Sequence, residues 1–74
     1  MLVSRLSKRE KEIAILVSKG LTNKEIASKI GISERRVGEI VYNIKEKWSI
    51  VSRVEIGILT YHLKLINIDY LIQK

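Results

Sequence analysis

Three times in this chain a serine or threonine is followed three residues later by glutamate: Ser7–Glu10, Thr22–Glu25 and Ser52–Glu55. Each pair can close a capping box. The hydroxyl accepts from the glutamate's amide, and the carboxylate reaches back to the hydroxyl residue's own amide. Such a box works only where a helix begins, so three helix starts are placed before any hydrophobic pattern is consulted. Ser33 supplies a fourth cap. Apolar residues follow each start at spacings of three and four: Ile13, Leu16 and Val17, then Ile26, Ala27 and Ile30, then Val37, Ile40, Val41, Ile44 and Trp48. Gly20 and Gly31 stand where the first two helices must stop, because glycine enters the left-handed region without penalty. The reading is four helices, at about 8–18, 23–30, 34–47 and 53–66, the last closed by Asn67. The 13 isoleucines lower helix propensity slightly, but caps and spacing agree against them. The expected fold class is all-α, a four-helix bundle.

With 74 residues the chain makes one domain, 1–74, and a core this small leaves stability marginal. There is no cysteine and one histidine, so disulfides and thiolate metal sites are excluded, and no metal or other cofactor is expected. Association with a second copy is the remaining means of support. The net charge of +6 points to a polyanionic partner. Residues 1–47 hold 11 bases and 6 acids, whereas 48–74 hold 3 and 2, so the front of the chain carries the electrostatics and the back is apolar. Neither a secretory leader nor an apolar run near the roughly 18 residues of a membrane span is present, and the expected location is the cytoplasm. No nucleophile stands with a base, and no glycine loop could cradle a phosphate. Neither enzyme activity nor a small-molecule ligand is expected.

Helix 2, the turn Gly31-Ile32-Ser33 and helix 3 have the dimensions of a helix-turn-helix. Gly31 permits the change of direction, Ile32 plugs the space between the helices, and Ser33 caps the second one. The plainer reading of the same geometry is a three-helix core with no ligand.

The residues resemble the LuxR/GerE-type helix-turn-helix domain. L-S-K-R-E-K-E-I at 6–13 matches its opening, G-L-T-N-K-E-I-A-S-K-I-G-I-S at 20–33 its helix-turn-helix, and N-I-K-E-K-W-S-I-V-S-R-V-E at 43–55 its closing motif. About 50 of the 74 residues are covered. Region 4 of sigma factors shares the first two motifs, and Ser52-Arg53-x-Glu55 favours the LuxR/GerE type. The resemblance implies a transcriptional regulator that binds double-stranded DNA as a homodimer, with contact through helix 4. It also suggests the stand-alone, GerE-like form, against which stands a fragment of a longer regulator. An alternative function is a protein-interaction module that binds RNA polymerase, a sigma factor or another regulator.

Carried over residue by residue, Asn23 and Lys24 open helix 2, where the family contacts phosphate; free amides and the helix dipole favour an anion there. Arg35 and Arg36 lie in the first turn of helix 3. Cations oppose the dipole at that end, so the pair calls for a compensating anion. Gly38, Glu39, Tyr42 and Asn43 complete the outward face, with Lys45 and Lys47 beyond. Gly38 departs from the family, which usually has a DNA-contacting lysine there, and Ile40 stands where histidine is frequent. Residues 48 and 49, usually Leu and Gly, are Trp48 and Ser49. Glu39 could accept from a cytosine amino group. Arg9 is placed to pair with Glu25 and lock helix 1 to helix 2. His62 is read as a packing or interface residue.

Helix 4 carries two apolar stripes. At about 100° per residue, Val54, Ile58, Tyr61, Leu65 and Ile68 fall on one line, and Ile56, Leu59, Leu63 and Ile66 on the opposite side. One core face needs one stripe. The second stripe implies a second partner, either another chain or the tail 68–74. Which stripe meets helices 1–3 is open in the sequence; Ile56, Leu59, Leu63 and Ile66 are the candidates for dimerisation.

Overall fold

The computed structural model describes residues 6–62 as four helices: α1 Lys8–Ser18, α2 Asn23–Ile30, α3 Glu34–Trp48 and α4 Arg53–His62. No strand occurs among the described residues. Every start coincides with its expected cap. Ser7 Oγ accepts from the Glu10 amide at 3.1 Å, and the Glu10 carboxylate accepts from the Ser7 amide at 2.8 Å. Thr22 and Glu25 repeat this pattern, at 3.1 and 2.8 Å. Ahead of α4, Glu55 accepts from the amides of both Val51 and Ser52 at 3.1 Å. These two amides hold the Glu55 carboxyl below its ordinary value. The segment expected to extend helix 4 to residue 66, and the tail beyond it, lie outside the described residues.

Ile13, Ile26, Val37, Ile44 and Ile56 are fully buried, so each helix contributes to one core. Full burial of such a side chain is worth about 1.5–3 kcal/mol. The two broadest packings are α1 on α4 and α2 on α3. Trp48 is buried at the end of α3, and its indole N–H has no acceptor among the described residues. That orphaned donor costs about 1–3 kcal/mol, set against the packing of the ring.

One ion pair fixes α1 against α3, and it is not the expected one. Arg9 pairs with Glu12 on its own helix at 3.4 Å, not with Glu25. The contact that locks α1 is Glu10 with Lys47 of α3, at 2.8 Å. Arg9 lies on the exposed side of α1, whereas Glu10 faces inward. Burial pushes the Glu10 carboxyl up, but the Lys47 ammonium and the Ser7 amide and hydroxyl outweigh it and leave it below its ordinary value of 4.5. A depressed carboxyl stabilises the fold fully above its unfolded value and loses that contribution as pH falls through the folded value. Glu10→Gln should therefore be less stable than the parent at neutral pH, and the gap should close in acid below about pH 4, as followed by urea melts.

Ser49 closes α3 with φ 56 and ψ 44, the only non-glycine residue in the left-handed region among those described. A side chain there costs roughly 1–2 kcal/mol. Ser49→Gly removes that strain and adds some unfolded-chain entropy, so a net gain of about 0.5–1 kcal/mol is expected in thermal melts.

Candidate nucleic-acid interface

The turn between α2 and α3 follows from two residues. Gly31 takes φ 77, and its amide donates to the Ala27 carbonyl at 2.9 Å. Ser33 Oγ accepts from the Arg36 amide at 3.0 Å and starts α3. Ile32, half-buried, packs against the core between the two helices as expected.

Along α3 the inward line Val37, Ile40, Val41, Ile44 and Trp48 is buried. This leaves Arg35, Arg36, Gly38, Glu39, Tyr42 and Asn43 to line one shallow, open depression on the outer face. All six helix-3 residues singled out in the sequence are thus brought together. Arg35 has the most exposed side chain of the ion-paired residues, at 91%. Lys24 is exposed on the first turn of α2.

Asn23 opens α2, as expected, and also takes part in a contact with α4. Its Oδ1 accepts from the Arg53 guanidinium, which also donates to the Leu21 carbonyl at 2.7 Å. Arg53 thereby ties the start of α4 to the entry of α2, and partial burial lowers its pKa from the ordinary arginine value. With the carbonyl oxygen engaged, the Asn23 amide nitrogen faces α3, 3.8 Å from where a Cβ on Gly38 would stand. That nitrogen is the side-chain donor that could meet a phosphate, since the oxygen can only accept. The intact Ser52-Arg53-x-Glu55 motif was the signal for Arg53, but its partners, 30 and 32 residues away, were not readable.

The compensating anion called for by Arg35 and Arg36 is present within the chain. Glu39 Oε1 lies 3.2 Å from Arg36 Nη1, and Oε2 lies 3.9 Å from Arg35 Nε. Lys47, placed on the sequence among the outward cations, is engaged with Glu10 instead.

On α4 the second apolar stripe proves to be the core face. Ile56 is fully buried and Leu59 packs against the core, so Ile56 is not available to a second chain. Leu63 and Ile66 lie outside the described residues. The described part of the first stripe faces outward: Val54, Ile58 and Tyr61 are 72%, 61% and 43% exposed, while Leu65 and Ile68 lie outside the described residues. His62, read as a packing or interface residue, is exposed, which excludes the first of these within the described residues. Among the described residues, no group of three His, Cys, Asp or Glu could hold a metal ion, and no helix is long and apolar enough to cross a membrane.

The family described as "Bacterial regulatory proteins, luxR family" matches residues 4–60. The chain is 41% identical over 51 residues to a probable transcriptional regulator, ycf29, of Guillardia theta, covering 69% of this chain and 24% of that protein. It is 34% identical over 62 residues to the transcriptional regulatory protein LiaR of Bacillus subtilis (strain 168), covering 84% of this chain and 29% of that protein. The chain thus spans about a quarter of the length of each of these curated relatives. A match that takes in all four capped helices and the turn between α2 and α3 shows that the chain belongs to the luxR family of bacterial regulatory proteins.

Proposed function

We propose that the chain is a sequence-specific, DNA-binding transcriptional regulator that inserts α3 into the major groove. One observation carries this reading: the outer face of α3 presents two arginines, a carboxylate, a phenol and an amide side by side around one open depression. Those groups can donate to phosphate and read base edges. Lys24, with the amides at the start of α2, clamps the neighbouring phosphates. The chain acts on cytoplasmic DNA, without cofactor or catalytic step.

The regulator works as a homodimer through α4, and the contact is the exposed stripe Val54, Ile58 and Tyr61. A twofold axis there buries the same face from both copies and sets the two α3 helices about one DNA turn, roughly 34 Å, apart. The operator is then a pseudopalindrome. Selection of bound sites from a random duplex pool at about 150 mM salt tests both points, because it returns either paired half-sites, unpaired ones or nothing.

Gly38 favours a second reading, an interaction module that docks on RNA polymerase, a sigma factor or another regulator. The usual lysine is missing, and no packing demands glycine, since a Cβ would meet only the Asn23 amide at 3.8 Å. Absence of duplex binding by the parent at about 50 mM salt would favour the interaction module, and Gly38→Lys tests how a DNA reader uses this position. On a DNA reader it should tighten binding to most duplexes several-fold by adding a phosphate- or guanine-seeking charge. Loss of binding in that variant would mean that the helix backbone itself approaches the DNA at Gly38.

A further inference from the structure

Glu39 occupies the centre of the outward face of α3 and reaches back one turn to both arginines, at 3.2 and 3.9 Å. Half of its side chain is exposed, as is more than half of each arginine's. Such pairs add at most a few tenths of a kcal/mol to a helix, so stability does not account for this one. Its position does. The two cations best placed to meet phosphate are the two that Glu39 neutralises.

We infer that Glu39 is an intramolecular counter-anion that weakens binding to arbitrary duplexes: Arg35 and Arg36 reach phosphate on any sequence, but the loss of their contacts with Glu39 is offset only where a base offers its carboxylate an amino group. This inference rests on the DNA-binding reading. When the arginines turn to the backbone, the carboxylate is left beside phosphates without a partner, at a cost on every sequence. In the major groove, only cytosine N4 and adenine N6 present donors that can replace the lost guanidinium contacts. Gly38 keeps the space beside Glu39 open, since a Cβ there would meet only the Asn23 amide nitrogen. A base edge can therefore approach the carboxylate between Arg35 and Tyr42. Glu39 is a specificity residue in this scheme: it acts by weakening the wrong complexes.

Glu39→Gln separates charge from hydrogen bonding, because the amide keeps an acceptor oxygen and the residue's size. Its exposure leaves the fold intact, which the melting curve verifies. Affinities of parent and variant are measured for a duplex selected by the parent and for a scrambled duplex, across about 50–200 mM salt. The scrambled duplex should bind the variant roughly tenfold more tightly, and the salt slope should steepen by up to about one for each glutamate removed. The selected duplex should change much less, so the ratio between the two collapses. Weakening on the selected duplex with no change on the scrambled one would make Glu39 an ordinary base contact and overturn the inference. No change on either would overturn it too. If the parent binds no duplex at about 50 mM salt, the DNA-binding reading itself has failed, and the inference falls with it.

Discussion

Affinity for a selected duplex falls by about three orders of magnitude or more between 50 and 200 mM salt, and Arg36→Ala lowers it on every sequence alike. The argument is one of charge and exposure. Two copies of Lys24, Arg35, Arg36 and neighbouring lysines can neutralise about 6–10 phosphates, each displacing condensed counterions whose return at high salt opposes binding. Arg36 is anchored by its own amide in the first turn of α3, and its guanidinium is more than half exposed. It therefore meets the backbone, which is the same on every sequence, before any base. Glu39, which pairs with both arginines in the free chain, places the slope toward the lower end of that range. Fluorescence anisotropy with a labelled duplex measures the effect. Binding that ignores salt, or that Arg36→Ala alters on the selected duplex alone, contradicts it.

The two faces of α4 should answer the same substitution in opposite ways. Ile56→Glu should leave the chain unfolded. Ile56 is fully buried on α4, which packs against α1 and α3, and a carboxylate placed in this apolar core has no partner. Its desolvation, added to the lost apolar burial, rivals the roughly 5 kcal/mol that holds a domain this small together. Ile58→Glu, two residues away and 61% exposed, should keep its helical signal and melting curve within about 0.5 kcal/mol of the parent. In a twofold dimer it sets two carboxylates against each other across the axis, so sedimentation should give a monomer and affinity for a two-half-site duplex should drop by at least tenfold. Circular dichroism and sedimentation over a wide concentration range separate the cases. A parent chain that stays monomeric at high concentration, alone and on DNA, would sink the homodimer. An Ile58→Glu chain that still pairs would move the contact off this stripe.

The sequence by itself determined where the helices begin, the left-handed turn between α2 and α3, and which face of α3 looks outward. These features rest on partners three or four residues apart: Ser7 with Glu10, Thr22 with Glu25, Ser33 with Arg36, Ser52 with Glu55. A hydroxyl and a carboxylate at that spacing meet as soon as one turn forms, whatever the rest of the chain does. The Glu39 pairs with Arg35 and Arg36 obey the same spacing, so that signal was readable as well. Only the tertiary structure decided that Glu10 meets Lys47, 37 residues on, while Arg9 stays at the surface. It also decided that Arg53 takes up the Asn23 oxygen, and that Ile56 rather than Ile58 turns to the core. Each of these depends on how one helix is rotated about its axis against another. On α4 the two apolar stripes are alike in composition, so periodicity finds both and ranks neither. The packing of α1 on α4 selects one for the core and leaves the other facing outward.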